Sequence, residues 1–432
     1  MERRRFRAVP LLFALLCMAA ISSSATAAAK LSSKQKKTFA RKASQYWFYR
    51  HHGAPAGKTD RILAELGELE GLNWEGLRSI LVKPYGAPAK FKKRRNNVEL
   101  RKPPAELKGC TYIVAAPPGY SPRRSYPLVV ALHGGGRGVG SAGQIMGLLG
   151  GHYQSKGCIV AAPTVPPGAV FAEPVGEKFV REILWEVALD YAVDPDRIYC
   201  TGHSMGGVGA WYMPTRMPDI FAASSPAAGN PSCVVDYEMF YNTPLYVVHG
   251  STDVQVKPDQ DREAAKAIKA IPAKNKRKGF FVYREITTGD ARGHALPAKV
   301  IKDMSSWMLK YKRNWIPERV ICVCPFLRTN EQAVIPYSRS FWIAIDGCAF
   351  KGKVDAVLEK DNVIRITASG ANKIEVFLSD DMVNLDRPVR IFLNGRQVHD
   401  KVVPRSVEFL LRHIEKTRDR GRAFANKVVL DG

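Results

Sequence analysis

The stretch Thr201-Gly202-His203-Ser204-Met205-Gly206-Gly207 constrains this chain more than any other, because it sets Gly-x-Ser-x-Gly between two elements of different period. Before it runs Arg197-Ile198-Tyr199-Cys200, short and apolar enough for a strand. After it, residues 207–217 read as a helix. The pentapeptide alone recurs by chance, whereas a strand entering it and a helix leaving it are what a nucleophile elbow requires. So sharp a turn needs positive φ and close backbone approach, and Gly202, Gly206 and Gly207 supply that freedom around Ser204. Ser204 is the first candidate nucleophile. A serine in an ordinary Gly-rich turn is the competing reading until partners are found for it.

A serine hydroxyl is a weak nucleophile at neutral pH, so it needs a base within hydrogen-bond reach and a carboxylate that fixes the base's tautomer. With an elbow of this kind the order along the chain is Ser, acid, His, each just after a late strand. The strand expected at residues 245–248 leads into His249-Gly250-Ser251-Thr252-Asp253, and the one at 279–286 leads into a loop holding His294. Asp253 and His294 therefore stand where acid and base belong. Asp290 shares the His294 loop and is a rival acid. His249 is a rival base, but it precedes the acid and reads as structural; His203, inside the elbow, reads as packed. Attack on an acyl carbonyl builds an oxyanion that preorganised N–H groups must meet. His133-Gly134-Gly135-Gly136 directly follows a strand and suits one donor, Gly135 by choice and Gly134 nearly as well; the backbone of Met205 suits the other. A phosphate cradle is excluded, since no Gly-Lys-Ser/Thr follows the glycines.

From residue 110 to about 312 strand-like and helix-like runs alternate. Strands are expected at 111–115, 126–133, 158–162 and 197–200, and again after the elbow helix at 221–228, 245–248 and 279–286. Helices are expected at 178–191, 259–271 and 298–312. The run Leu128-Val129-Val130-Ala131-Leu132 is apolar throughout, as suits a strand covered on both faces. Such units imply an α/β fold with a mostly parallel, doubly covered sheet, and a site beyond the carboxyl ends of its strands. Residues 33–51 read as a helix with His51 and His52 on its surface. A second helix is capped at Thr59-Asp60 and a third lies at 73–82; the basic, proline-bearing residues 83–104 read as a linker. Beyond Pro317 the period becomes two, with a hairpin at Asn394-Gly395, a helix at 406–417 and a last strand at 427–430. The expected organisation is a leader over 1–29, a helical basic region and linker over 30–105, a catalytic domain over 106–315 and a β-rich accessory domain over 316–432.

The set HGGG at His133, GHSMGG at Gly202, HGSTD at His249 and GHALP at Gly293, in that order, resembles a secreted bacterial α/β-hydrolase. Within that superfamily the spacing is similar to the carboxylesterase group with polyhydroxyalkanoate-depolymerase-like, feruloyl-esterase-like and prolyl-oligopeptidase-like members. The likeness spans residues 110–312. It implies a Ser204, Asp253, His294 triad, an acyl-enzyme intermediate and no cofactor. The charged helical start departs from the minimal pattern of that family.

The ends and the composition bound the rest. Arg3, Arg4, Arg5 and Arg7, an apolar run over 9–20 and Ala25-Thr26-Ala27 read as an export signal, with a twin-arginine look as a minor variant. The apolar run is too short to span a bilayer, so no transmembrane helix is expected in the mature chain. Of the eight cysteines, all but Cys17 remain after the signal, an odd number without regular spacing. No disulfide framework and no structural metal are expected; Cys110, Cys158 and Cys200 read as small buried apolar residues. The net charge of +25 favours anionic polymers or surfaces. Its clusters, near 34–37, 90–95, 274–278, 310–313 and 418–422, read as solvated faces. They carry no aromatic ladder or DNA- or RNA-binding signature, which excludes specific nucleic-acid recognition. Only residues 230–242 are available as a cap, with Cys233, Val234, Tyr237, Met239, Phe240 and Tyr241 as candidates for a pocket lip. So short a cap predicts an open cleft suited to bulky esters such as acyl groups on polysaccharide. A serine peptidase of the prolyl-oligopeptidase type and a non-catalytic polyanion-binding protein are the competing readings.

Overall fold

The apolar run at Tyr126–Leu132 is buried along its whole length and lies inside an 8-stranded sheet. A computed structural model describes residues 32–53, 55, 57–67, 74, 77–82, 93–135, 139–234, 236–271, 279–324 and 337–432. The leader expected at 1–29, Gly136 and the basic cluster at 274–278 lie outside them. The strands are β1 (Arg94–Glu99), β2 (Thr111–Ala115), β3 (Tyr126–Leu132), β4 (Ile159–Pro163), β5 (Val193–His203), β6 (Ala223–Ala227), β7 (Leu245–Gly250) and β8 (Phe281–Ile286). Their order is β1-β2-β4-β3-β5-β6-β7-β8. The β1–β2 and β2–β4 pairs are antiparallel and every later pair is parallel. The linker expected at 83–104 thus contains an edge strand. It is polar on both sides, with no apolar alternation to betray it.

Among the described residues, α1 (Ser33–His52), α2 (Lys58–Gly67) and α3 (Leu77–Leu81) precede the sheet. Accompanying it are α4 (Ala142–Ile145), α5 (Gly151–Gln154), α6 (Pro174–Asp190), α7 (Met205–Arg216), α8 (Asp259–Ala270) and α9 (Ala298–Met308). The strand period decides which covers what. Leu128, Val130 and Leu132 of β3 pack with Phe179, Val180 and Ile183 of α6 and Ala210 and Met213 of α7. Val129 and Ala131 point the other way, toward Ile145, Tyr153, Val300 and Met304 of α4, α5 and α9. Both faces are dry, which is why the sequence of β3 shows no alternation.

The C-terminal sheet contains β9 (Arg319–Val323), β10 (Tyr337–Ser340), β11 (Ile343–Glu359), β12 (Val363–Leu378), β13 (Val389–Leu393), β14 (Arg396–Lys401) and β15 (Asn426–Asp431), with α10 (Val407–Thr417) before β15. The long antiparallel pair β11–β12 is its spine. β9 and β10 share the outer side of β11, and β13 and β15 share that of β12. At the β13–β14 turn Asn394 and Gly395 have φ of 50° and 83°, the geometry a two-residue hairpin demands. Cys324 and Cys348 form a disulfide. This corrects the expectation of none: it closes between residues 24 apart whose strands meet only through tertiary pairing, so spacing gave no sign of it.

The N-terminal helices share a core with this second sheet. Phe39, Tyr46 and Trp47 of α1 cluster with Leu410, Leu411 and Ile414 of α10 and with Trp185 of α6. Trp47 Nε1 donates to Leu411 O at 3.2 Å and Tyr46 Oη to Glu415 Oε2 at 3.1 Å. His51 is buried against Glu186, 3.4 Å away, rather than on the surface as its position beside His52 suggested.

Buried ion pairs join the two sheets. Asp219 receives Arg339 at 2.9 Å and also Arg422. Arg313 pairs with Asp419 and, at 3.1 Å, with Asp196, which also takes Arg78 at 2.5 Å. Arg420 donates to the carbonyls of Leu81 and Ala188. The basic run at 418–422 is therefore largely internal: Arg422 is 2% exposed, and Arg313 of the 310–313 run is 6% exposed. Arginine reads as a surface charge in sequence, but its planar fork satisfies carboxylates and carbonyls inside a protein.

Removing one partner from such a network leaves charge behind in a dry place. Asp219→Ala is expected to lower unfolding free energy by about 3–5 kcal/mol, read from denaturant unfolding. Burial alone would raise the pKa of Glu177 and Asp196. Arg216 and Arg181 beside the first, and Arg313 and Arg78 beside the second, outweigh it and hold both below their ordinary values. A carboxylate depressed in the folded state contributes stability that is complete above its unfolded pKa, near ~4, and is lost as pH falls through the folded one. Tm is expected to drop steeply below about pH 4, and to drop less steeply in Glu177→Gln, which starts from a lower value.

Candidate active site

At the end of β5 the backbone reverses at Ser204, with φ 58° and ψ −122°. A non-glycine residue there is strained. The sequence assigned the positive φ to the flanking glycines, and the structure moves it to the serine. The glycines are needed for close approach instead: a Cβ on Gly206 would stand 2.0 Å from Leu132 O, one on Gly202 2.1 Å from Gly206 O, and one on Gly207 2.3 Å from Ala227 O. Ser204 N–H is held by Ala227 O at 2.9 Å. Serine at a helix N-cap usually turns its hydroxyl onto the helix N–H groups, but Ser204 makes no such bond to α7. The first N–H groups of α7, at the positive end of the helix dipole, thus receive no bond from its hydroxyl.

The loops after β7 and β8 bring Asp253 and His294 together. Asp253 Oδ2 accepts from His294 Nδ1 at 2.6 Å, with Asp253 4% and His294 8% exposed. Asp253 Oδ1 accepts the N–H groups of Gln255 at 2.8 Å and Val256 at 3.0 Å. Burial would raise the Asp253 pKa, yet the His294 bond and these two N–H bonds outweigh it and hold the carboxyl below its usual range. Its rival Asp290 instead ties down the loop, accepting His294 N at 3.2 Å and Ala295 N at 3.0 Å. The nearby Thr288 hydroxyl and those backbone N–H groups hold its pKa at about 2. The β7 and β8 ends also interlock, since a Cβ on Gly250 would stand 1.8 Å from Gly293 O.

His203 joins this group to the elbow. Its Nε2–H donates to His294 O at 2.8 Å, and the two rings lie 4.9 Å apart. It holds the backbone of His294, a role the pattern Gly-His-Ser does not announce.

On the other side of Ser204 lies the loop after β3. A Cβ on Gly134 would be 3.2 Å from Ser204 Cβ, so this loop runs against the elbow serine. Gly135 follows with φ 99°, where a Cβ would stand 2.6 Å from Val139 O. His133 locks the loop. Its Nε2 accepts Val165 N–H at 3.2 Å, so the ring hydrogen sits on Nδ1 and donates to Gly134 O at 2.8 Å. Burial lowers its pKa despite the Gly134 carbonyl, which keeps this tautomer neutral. Val139 and Val254, 73% and 69% exposed, leave apolar side chains in solvent on the loops beside Gly135 and Asp253.

The residues expected to form a pocket lip do something else. Phe240 is buried with Trp211 and Leu245. Met239 packs, with Tyr241 beside it, on Ile321 and Val323 of β9. The short 3-10 helix Tyr237–Phe240 turns its apolar side down between α8 and the second sheet. Among the described residues no group of three His, Cys, Asp or Glu side chains stands together as a metal centre, and no helix is long and apolar enough to cross a membrane.

A mostly parallel sheet covered on both faces, with an elbow at the end of β5, is an α/β-hydrolase architecture. No protein-family model and no curated protein matches the chain. Several solved structures are similar to it. A thermostable esterase is 27% identical, over 47% of this chain and 60% of its own, with a TM-score of 0.40. The feruloyl esterase module of Clostridium thermocellum, in complex with sinapinate, is 18% identical over 51% of this chain and 96% of its own, with a TM-score of 0.37. Esterase 2 of Thermogutta terrifontis is 16% identical over 52% and 95%, with a TM-score of 0.38.

The elbow packing gives a sharp contrast. Gly206→Ala must push a Cβ into the carbonyl of Leu132, whereas Gly143→Ala on α4 meets nothing nearer than 3.7 Å. The first is expected to cost at least about 2 kcal/mol and the second to stay within about 0.5 kcal/mol of the parent, both measured by thermal or denaturant unfolding.

Proposed function

We propose that the protein is a serine hydrolase that cleaves carboxylic esters, with Ser204 as nucleophile, His294 as base and Asp253 as the carboxylate that orients it. The observation that carries this reading is the buried 2.6 Å Asp253–His294 pair, standing off the same strand ends as a serine held at positive φ. With its Nδ1 hydrogen on Asp253, His294 keeps Nε2 as the basic nitrogen. It takes the Ser204 proton as Oγ attacks the acyl carbon, then delivers that proton to the departing alcohol. The oxyanion is met by the N–H groups of Met205 and Gly135, the former at the positive end of α7. Water, activated by His294, releases the acid and restores Ser204. The chemistry draws on no cofactor or metal, and residues 106–315 are the catalytic unit.

Two features favour an exported enzyme acting on acylated polysaccharide. The Cys324–Cys348 disulfide suits an oxidising compartment, in agreement with the leader-like residues 1–29. Lys34, Lys36 and Lys37 of α1 are exposed and give the surface a basic face for anionic polymers.

Fluorophosphonate labelling of the purified protein should be complete in the parent and absent in Ser204→Ala; an unlabelled parent rules the enzyme out and leaves a polyanion-binding protein. On an ester that is turned over, Asp253→Asn is expected to lower kcat by about 10⁴-fold and Asp290→Asn by less than about tenfold. Acetylated and feruloylated polysaccharides should be cleaved faster than peptide amides of proline, and the reverse order would make the protein a peptidase.

A further inference from the structure

Asp253 carries two imidazoles on one oxygen. Its Oδ2 accepts from His294 Nδ1 at 2.6 Å and lies 3.3 Å from His249 Nε2. His249, at the carboxyl end of β7, is fully buried. Its three polar neighbours are all acceptors: Asp253 Oδ2, Val256 O at 2.7 Å from Nε2, and Asp261 Oδ2 at 2.6 Å from Nδ1. A neutral imidazole has one donor and one acceptor nitrogen. The carbonyl of Val256 can only accept, so Nε2 bears a hydrogen, and that hydrogen faces Val256 O and Asp253 Oδ2 together. The remaining proton lies between Nδ1 and Asp261, whose Oδ1 takes Trp211 Nε1–H at 3.1 Å. Burial alone would lower the His249 pKa, but the hydrogen bond and charge of Asp261 outweigh it and leave it raised. Near the pair stand Tyr237 on the 3-10 helix, Tyr283 and Glu285 on β8 and Arg262 on α8. Glu285, bound by Arg262 at 2.7 and 2.9 Å and by Tyr283 at 2.8 Å, meets His249 through charge alone, while Asp261 and Asp253 are the carboxylates in contact with it.

We propose that His249 is a positioning residue for Asp253: an imidazolium anchored by Asp261 that pins the carboxylate oxygen used by His294 and takes up part of its charge. This rests on the reading of Ser204, His294 and Asp253 given above. Two effects follow. The oxygen cannot swing away from His294, because both carboxylate oxygens are held from behind. And Asp253, partly neutralised, pulls less on the proton that His294 must give up to be a base, so the site works to lower pH than an unflanked carboxylate would allow.

The test is the rate of fluorophosphonate labelling of the full-length protein across pH 5–9, which needs no knowledge of the natural substrate. His249→Gln keeps a donor near the Nε2 position and removes the charge. His249→Asn keeps a group near Nδ1 and removes the donor toward Asp253. Asp261→Asn removes the anchor. His249→Gln and Asp261→Asn are expected to move the acid limb of the rate profile up by about 0.5–1 in pH with plateau rates within about threefold of the parent. His249→Asn is expected to lose about tenfold in plateau rate. Unchanged limbs and plateaus in all three folded variants overturn the proposal. Should the His249 variants fail to fold, Asp261→Asn and the histidine ¹⁵N spectrum of the parent decide it: a His249 without hydrogen on Nε2 overturns it directly. If His294→Ala labels as fast as the parent, the triad reading itself fails; if it does not, and the His249 variants behave as the parent, only the role of His249 falls.

Discussion

The close backbone packing at the elbow is the constraint on which the site depends. Gly206 lies so near Leu132 O that no side chain fits between β3 and α7, and Gly202 and Gly207 seal the turn from below and beside. Because those contacts are backbone to backbone, they fix Ser204 relative to the β3 loop without relying on any rotamer. The strain of a positive φ at Ser204 is carried by this packing and by the Ala227 carbonyl. Everything else in the site is arranged by loops leaving the same edge of the same sheet. His203 then ties the elbow to the His294 loop, so Ser204 and His294 stand on one hydrogen-bonded frame.

The hydrolase sheet was legible because its signals are local. A buried strand must be apolar, an elbow must have its glycines, and the helices that cover β3 show their faces in period. The pairing of Asp253 with His294 was legible because each follows a strand. What escaped was written in partners far apart in the chain. β1 is a polar edge strand without alternation; Cys324 and Cys348 meet only through strand pairing; Met239, Phe240 and Tyr241 look like a lip until α8 and β9 are seen beneath them. The residues bonded around Asp253 and His294, namely His203, His249, Asp261 and Asp290, were visible as residues but not as bonds. Asp261 in particular reads as an acidic residue in the first turn of a helix, where the dipole alone would explain it.

Charge was the least legible property. A count of basic residues describes a polycation, yet several of those arginines are interior. Arg313 and Arg422 fill gaps between the two sheets that apolar side chains could also fill, and they do so with a fixed set of carboxylate partners. Each pair works only when both sheets are in one relative placement. The second sheet is therefore seated on the hydrolase layer by directional bonds, and the surface available to an anionic polymer is smaller than the composition suggests.

The core shared by α1 and α10 has a consequence for how the chain is made. Tyr46 and Glu415 are hydrogen-bonded across 369 residues, and the whole parallel sheet lies between them in sequence. A chain leaving the ribosome exposes Phe39, Tyr46 and Trp47 from the outset, with their counterparts Leu410, Leu411 and Ile414 emerging near the end. An apolar surface made early, and covered at first only by α2 and α3, is among the last to be completed. Assembly of the two ends is a late, long-range closure of the kind that is slow and exposed to aggregation, and the parallel sheet must already be ordered to bring those ends within reach of each other.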